Sequence, residues 1–293
     1  MNIIEDIKNS LRKGDGLTRL LAVNIVIFIV IQLVYIGSAL VLNDSFVKAH
    51  PDLYLAASSS WEVMLHRPWS IITHMFTHEA FGHFLFNIFV LYTGGKLFRT
   101  FFTSSQLVVN YILGGLSGYL MFFLFFNIFP AFRSESYVLG ASAAVMSIIF
   151  TVGITKPHFV VRLFGVFEMK LIWLCGLLVV VDLIGIRKGF NSGGHIGHLG
   201  GALFGAFYGY QYRNGKVMGN GLNRFLDRLK NVFSGRKSHL KTVHHRPISD
   251  EEFNAEKTKR QKRVDEILDK INRSGYESLS KDEKDFLFKY SQK

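Results

Sequence analysis

Cysteine is almost absent from this sequence. The single cysteine, Cys175, excludes an intrachain disulfide framework and leaves no cysteine cluster for a metal ion. Apolar residues, in contrast, make up 49% of the 293 residues, and 28 residues are Phe. This composition argues against an ordinary soluble core and indicates that lipid is the solvent for much of the chain.

A signal-peptide cleavage site is also lacking. Basic residues between Lys8 and Arg19 precede the first apolar stretch, as they do in a signal peptide. The stretch itself, Leu20–Leu42, is too long for the hydrophobic region of a signal peptide and no convincing small-residue cleavage site follows it. We therefore expect it to be a retained membrane anchor.

Six apolar stretches come close to the roughly 20 residues that a helix needs to cross a hydrocarbon core about 30 Å thick. They must be helical, because lipid satisfies no backbone polar group. The stretches are Leu20–Leu42, Phe76–Phe98, Leu107–Phe129, Val138–Ile154, Leu171–Ile186 and Ile196–Tyr212. The sequence thus predicts an all-α polytopic membrane protein with six transmembrane helices, the last three of which are short, glycine-rich and buried in the bundle.

The distribution of lysine and arginine predicts the orientation. The net charge of +12 could indicate nucleic-acid binding, but the basic residues lie between apolar stretches and in the tail. This distribution favours a lipid bilayer as the partner, and we expect no nucleic-acid partner. Under strict alternation, most of the basic residues fall on one side, with Arg187 and Lys188 as exceptions. We expect a multi-pass protein of the cell membrane with both termini in the cytoplasm.

The composition divides the chain into four regions. Residues 1–19 form a cytoplasmic N-terminal segment, 20–212 the membrane domain, 213–249 a basic juxtamembrane linker and 250–293 a small cytoplasmic helical hairpin. The linker contains a basic helical pattern from Leu222 to Phe233. In the hairpin, Ser274 and Gly275 turn the chain, and Ser280 with Glu283 fits a capping box that starts the second helix.

Three sets of small and polar residues in the membrane domain carry the candidate chemistry, because a polar group in lipid is costly unless it is paired or used. The first set is a stripe of three histidines and an asparagine. The second surrounds Ser142 with small residues, and the third opens the sixth stretch with two histidines. The members are His74, His78, His83 and Asn87; Gly140–Ala144; and His195–Gly201.

Glycines recur at every fourth residue from Gly197 to Gly209, which predicts close approach of another backbone, with a matching groove at Gly140 and Ala144. Such contact could bring His198 near enough to Ser142 to take its proton. Oxyanion donors would be the Ser142 amide and the side chains of His83 and Asn87. Acidic residues are scarce, and Asp182 is a weak candidate to orient the histidine, so a Ser–His dyad is favoured over a triad.

These motifs resemble those of rhomboid proteases. They are His-x8-His-x3-Asn at His74–Asn87, Gly-x-Ser at Gly140–Ser142 and His-x2-Gly-x3-Gly at His198–Gly205, in the order of the family and within Leu20–Tyr212. The resemblance implies a six-helix bundle with a water-filled cavity that opens outward, in which serine and histidine act as a dyad. Such hydrolysis needs no cofactor, and we predict no metal site. It also implies substrates with a small residue before the cut and a helix-destabilising stretch, which enter beside the fifth helix.

By position, the resemblance makes Ser142 the nucleophile, His198 the base, and His83 and Asn87 oxyanion donors. His198 fits rather than His195, because glycines follow it at the third and seventh positions. Two positions depart from the family pattern. Ala143 replaces the usual glycine after the serine, and Met146 replaces an aromatic residue that stacks on the base.

The function predicted is therefore serine-type endopeptidase activity on transmembrane segments of membrane proteins, near the outer face. The main alternative is a non-catalytic rhomboid-like protein that binds membrane helices and retains or escorts them. Zinc bound by His74 with His78, or by His195 with His198, is disfavoured because no HExxH motif supplies a general base. A transporter is disfavoured because the polar residues trace no path across the membrane.

Overall fold

The computed structural model describes residues 15–41, 54–132, 134–163, 166–189, 191–216, 218 and 250–291. The chain divides into two compact units, Met1–Gly235 and Arg236–Lys293. The predicted N-terminal segment and basic linker, including the helical pattern at Leu222–Phe233, fall largely or wholly outside the described residues.

Long helices dominate the first unit. They are α1 (Gly16–Val41), α4 (Phe81–Arg99), α5 (Ser104–Ile128), α6 (Ser142–Thr155), α7 (Leu171–Lys188) and α8 (Ser192–Arg213), with the short helices α2 (Trp61–His66) and α3 (Ser70–Thr73) between the first two. Each of the six predicted apolar stretches therefore overlaps one long helix. Two of them, α1 and α5, are long and apolar enough to cross a membrane by length and composition, and α6 is a shorter apolar helix. The count of six spans stays a prediction.

Two helices begin later than the apolar stretches predict. A 3-10 helix at His74–Phe76 and an extended segment precede α4, so that this helix begins at Phe81. Before α6, the strand β2 (Tyr137–Val138) pairs in antiparallel fashion with β1 (Ala57–Ser58). In both places the backbone finds hydrogen-bond partners outside a helix, which hydropathy alone does not detect.

The remaining strands lie between α6 and α7. Residues Val160–Leu163 (β3) and Phe167–Lys170 (β4) form an antiparallel hairpin. Its side chains are mostly exposed, and an Arg162–Glu168 ion pair spans it at 2.8 Å. The polypeptide thus contains small β elements at both ends of α6, which the all-α prediction did not include.

Close backbone packing joins α6 to α8. A Cβ atom on Gly201 or Gly205 would overlap the backbone oxygen of Ala143 or Ser147, respectively, and one on Gly209 would lie 2.6 Å from the oxygen of Thr151. The prediction that these glycines admit another backbone is confirmed, but the groove expected at Gly140 and Ala144 is wrong. The facing residues are Ala143, Ser147 and Thr151, because Gly140 precedes the helix and the row that starts at Ala143 faces α8.

A buried polar network adds hydrogen bonds to this packing. Asn110 on α5 donates to Thr151 Oγ1 at 2.8 Å and accepts from Ser147 Oγ at 2.9 Å, and Thr151 Oγ1 donates to the Gly205 carbonyl at 3.1 Å. All three side chains are fully buried. Since a buried polar group costs stability unless it is paired, the network specifies how α5, α6 and α8 align.

The segment before α4 is held against α5 by aromatic hydroxyls. Tyr111 donates to the Met75 carbonyl at 2.7 Å, and Tyr119 donates to the Ser58 carbonyl at 3.2 Å. The ring of Trp61 packs edge-on against Phe123. This segment therefore rests on α5, and it positions the histidines that follow.

The second unit contains a helical hairpin. Helix α9 (Asp250–Ser274), a turn at Gly275 with φ of 77° and helix α10 (Lys281–Ser291) follow one another. The Ser280 backbone donates to Glu283 Oε2 at 2.7 Å, and the Glu283 backbone donates to Ser280 Oγ at 3.3 Å. The predicted capping box is confirmed, and an ion pair between Lys270 and Glu283 links the two helices.

Candidate active site

Ser142 is the first residue of α6 and is partly exposed. The residue before it, Ala141, caps the helix without a side-chain hydrogen bond. The first amides of a helix have no intrahelical partner and carry a partial positive charge. The hydroxyl of Ser142 therefore lies beside backbone amides that can stabilise a negative charge.

Gly140 makes room beside this hydroxyl. Its φ of 118° is a conformation that residues with a Cβ atom rarely adopt. The place that a Cβ atom would take lies 3.2 Å from His83 Nε2 and 3.8 Å from Ser142 Oγ. The missing side chain therefore leaves a small space between the candidate nucleophile and His83.

Asn87 lies one turn after His83 on α4 and is 3% exposed. Its Nδ2 donates to the His83 carbonyl at 2.9 Å. An amide nitrogen has two protons, so this bond orients the side chain and leaves a second donor. His83 itself lies close enough to His198 for positive charges on the two rings to repel each other.

His198 is anchored by a carboxylate. Its Nδ1 donates to Asp182 Oδ1 at 2.8 Å, and His195 Nδ1 donates to the same oxygen at 2.8 Å. The Asp182 side chain is 5% exposed, whereas those of His195 and His198 are 21% and 23% exposed. Because the bond places the proton on Nδ1, Nε2 of a neutral His198 carries the lone pair that a general base needs.

The turn between α7 and α8 explains how these residues meet. Asp182 lies six residues before the end of α7, His198 lies six residues after the start of α8, and the two helices pack against each other. Gly185 leaves space for the imidazole of His195, whose ring atoms a Cβ atom there would overlap. The sequence pattern predicts only a weak orienting role for Asp182, whereas the structure shows a direct hydrogen bond between Asp182 and His198.

No hydrogen bond joins Ser142 Oγ to His198 within the described residues. The helices that carry them nevertheless pack tightly one residue beyond Ser142, where a Cβ atom on Gly201 would lie 2.0 Å from the Ala143 carbonyl oxygen. Catalytic hydrogen bonds are often long before substrate binds and tighten in the complex.

His78 and His74 shape the backbone around Ser142. The Ala141 amide donates to His78 Nε2 at 3.2 Å, and the Gly140 amide donates to the His74 carbonyl at 2.9 Å. Burial lowers the pKa of His74 to about 4. A neutral His74 then donates through Nδ1 to the Ser70 carbonyl at 3.0 Å, which gives this histidine a structural role.

The two positions that depart from the family pattern are both buried. The backbone of Ala143 packs against Gly201 of α8, and its Cβ atom lies against Gly118 of α5. Met146 is 7% exposed and packs in a cluster with Phe150, Cys175 and Ala202. The thioether thus fills a gap between α6, α7 and α8. Within the described residues, the ring of His195 contacts that of His198 edge-on, with the ring centroids 5.7 Å apart.

A cavity of about 380 Å³ lies beside the turn between α7 and α8. Residues lining it include Phe126, Ile186, Asn191 and Gly193. The side chains of the candidate site do not line this cavity, which is therefore separate from that site. They are Ser142, His83, His195 and His198.

Comparison with known proteins agrees with this architecture. A family model described as Rhomboid domain matches residues 65–215, just over half of the chain. This protein therefore belongs to the rhomboid family and is a membrane protein. A second model, of a family of unknown function, matches residues 249–293.

A curated relative is presenilin-associated rhomboid-like protein A, mitochondrial, from Danio rerio. The two proteins are 27% identical over 169 residues, which make up 57% of this chain and 43% of the relative. The match thus spans less than half the length of that protein. The similarity supports the family assignment and leaves the compartment open, because the relative is named as mitochondrial.

Proposed function

We propose that this protein is a serine endopeptidase that cleaves transmembrane segments of membrane proteins by attack of Ser142 on a peptide carbonyl. The observation that carries the proposal is the 2.8 Å hydrogen bond between His198 and the buried Asp182. This bond prepares a base on α8 beside the helix α6 that presents the serine. His195 makes the same bond, and the glycines that follow His198 at the third and seventh positions identify His198 as the proposed base.

The proposed chemistry has two steps. His198 Nε2 takes the hydroxyl proton as Ser142 Oγ bonds to the carbonyl carbon, and Asp182 stabilises the resulting imidazolium. The imidazolium then gives its proton to the leaving amine, which forms an acyl-enzyme. Water, deprotonated by the same histidine, hydrolyses the ester and restores Ser142.

The developing oxyanion fits the space beside Gly140. His83 Nε2 borders this space at 3.2 Å, and the Ser142 amide and the remaining amide proton of Asn87 are further candidate donors. Donors fixed before the reaction stabilise the charge that appears in the transition state without reorganising. These assignments make Ser142 and His198 catalytic residues and Asp182 a positioning residue.

The alternation of helices supports an orientation in which Ser142 and His198 lie near the outer face of the cell membrane and both termini are cytoplasmic. We infer that substrates are membrane proteins that span the bilayer, with a small residue before the cut. They would approach the site from the bilayer, beside α7 and the 187–194 turn.

The test is cleavage of a single-span model substrate in liposomes. Ser142→Ala and His198→Ala are expected to reduce kcat by ~10³-fold or more, and Asp182→Asn by ~10²-fold, because a neutral amide does not stabilise the imidazolium. His195→Ala is the matched control and is expected to retain cleavage. Cleavage by the Ser142→Ala variant at the wild-type rate would contradict the proposed attack by Ser142.

One observation favours a second function, a non-catalytic protein that binds membrane helices. Met146 packs among Phe150, Cys175 and Ala202, where the family has an aromatic residue against the base. Wild-type protein that cleaves none of several substrates, yet co-purifies with them equally well before and after Ser142→Ala, would favour binding. Reaction of Ser142 with a fluorophosphonate would instead support the protease.

A further inference from the structure

We propose that Asp182, His195 and His198 form a binding site for a divalent transition-metal ion such as Zn²⁺, and that the bound ion switches off the base. Metal binding by these residues is independent of the proposed function. The inhibitory effect rests on the proposed protease activity of the same site.

The three side chains already converge. Both histidine Nδ1 atoms lie 2.8 Å from Asp182 Oδ1, and one ligand atom from each residue lies within 4.8 Å of those of the other two. In a tetrahedral zinc site with metal–ligand bonds of about 2.0–2.2 Å, ligand atoms are about 3.3 Å apart. Small side-chain rotations would therefore open this cluster enough to accept an ion.

The chemistry of the cluster suits Zn²⁺. Two imidazole nitrogens and one carboxylate oxygen are the ligand types of open zinc sites, which leave the fourth position to water. His195 and His198 are spaced by three residues on one face of α8, and both rings are about one fifth exposed. An ion can thus approach from the side of the histidines, while the buried carboxylate supplies a negative charge behind them.

Asp182 Oδ1 accepts hydrogen bonds from both His195 and His198. Only His198 is required as a base, and Gly185 leaves space for the ring of His195 at the same oxygen. A second imidazole aimed at Asp182 adds nothing to proton transfer. It does complete a set of three ligands.

The bound ion and the catalytic base require opposite tautomers of His198. Hydrogen bonding to Asp182 keeps the proton on Nδ1 and leaves the lone pair on Nε2. A metal ion on Nδ1 takes the lone pair of that nitrogen, so the single proton of the neutral imidazole moves through solvent from Nδ1 to Nε2. His198 then has no lone pair with which to accept a proton from Ser142, and no net proton is released on metal binding.

The experiment uses the purified full chain, stripped of metal by a chelator. Titration with Co²⁺ is expected to give visible d–d absorption bands of a tetrahedral ion at a stoichiometry of one, and Zn²⁺ is expected to displace it. His195→Ala should abolish the bands, whereas His158→Ala, which removes an exposed histidine between α6 and β3, should retain them. Absent bands, or bands that persist in His195→Ala, would overturn the metal site.

Cleavage assays of the same samples test inhibition. Zn²⁺ is expected to reduce cleavage by wild type and by His158→Ala at least tenfold, reversibly on adding chelator, and to leave His195→Ala within about threefold of its metal-free rate. Equal inhibition of His195→Ala would overturn the switch. If the metal-free wild type cleaves nothing, the proposed protease activity fails, while the Co²⁺ spectrum still decides the site.

Discussion

At the scale of single residues, the space beside Ser142 depends on a missing side chain. Gly140 has a φ of 118°, and its Cα faces the imidazole of His83. Any Cβ atom there would both strain the backbone and fill the space that borders His83 Nε2. If this space receives the substrate oxyanion, glycine is therefore the only residue compatible with position 140.

We expect Gly140→Ala to lower kcat by ~10²-fold, comparable to removing one oxyanion donor. Gly176→Ala on α7 is the matched control, because a Cβ atom there meets nothing within 4 Å. The measurement is kcat for the model substrate together with the midpoint of thermal unfolding. A variant that folds like wild type and cleaves at the same rate would show that the oxyanion does not use this space.

Residue patterns in the sequence identified most members of this site but not their partners. Ser142, His198 and His83 stand in recognisable spacings, and the structure brings their elements together. The sequence does not predict that Asp182 is the hydrogen-bond partner of His198. That bond depends on how α7 is rotated about its axis, and the sequence does not specify this rotation. The usable signal was chemical: Asp182 is an ionisable residue in an apolar stretch, and such a residue is functional by default.

At the scale of elements, the contact of α6 with α8 determines where the proposed nucleophile and base lie. Glycines at 201, 205 and 209 face the backbone of α6 so closely that side chains have no space. The Asn110 network then fixes the alignment by hydrogen bonds. Both histidine and serine are carried by this pair, so a shift between the helices separates them.

Gly205→Val is expected to destabilise the protein by about 1–3 kcal/mol and to reduce cleavage, because the added side chain overlaps the Ser147 carbonyl and forces the helices apart. Denaturant titration in detergent measures the change. Gly176→Val, at a position with open space, should change stability by less than a third as much. Similar destabilisation of both variants would refute the argument from packing.

The capping box of α10 makes a second prediction at this scale. Hydrogen bonds from the Ser280 backbone and the Lys270 ammonium hold the pKa of Glu283 below its ordinary value of 4.5. A lowered pKa in the folded state contributes stability above pH 4.5, and this contribution is lost as the pH falls through the lowered value. The first turn of α10 should therefore fray in acid.

NMR chemical shifts of the α10 backbone in the full chain would measure this fraying. Glutamine can form the same capping box without a charge. In Glu283→Gln the acid-induced change should therefore be absent, with lower helicity at neutral pH because the Lys270 ion pair is lost. A change of equal size in both proteins would assign the fraying to other groups.

Element positions could be predicted better than element limits. Hydrophobic stretches of about 20 residues locate the long helices, since lipid demands helices. They do not reveal that His74–Phe76 forms a 3-10 helix or that Tyr137 and Val138 pair with β1, because those partners lie far away in the sequence. The glycine repeat predicted a close contact but not which row of α6 faces it.

At the scale of the whole molecule, the orientation in the membrane follows from the predicted alternation of six spans. The segment between α5 and α6 should face outward and the segment between α6 and α7 inward. Ser134 and His158 are exposed residues of these two segments. They offer matched positions for a test of sidedness.

In a Cys175→Ala background, Ser134→Cys should react with a membrane-impermeant maleimide in intact cells, and His158→Cys only after permeabilisation. The buried position of Cys175 makes background labelling low even before its removal. Labelling of both positions from the same side would overturn the alternation and with it the cytoplasmic placement of the termini.

The hydrogen bonds around Ser142 join parts of the chain at very different separations. Asp182 and His198 are 16 residues apart, and a helical hairpin brings them together. His74 and Gly140 are joined across the whole of α4 and α5. Because closing a longer loop costs more chain entropy, the acid and the base should meet early in folding, and the loop that presents the serine should be set last. An immature chain would then hold the proposed base in place before the proposed nucleophile, and the proposed proteolysis would begin only after the bundle has closed.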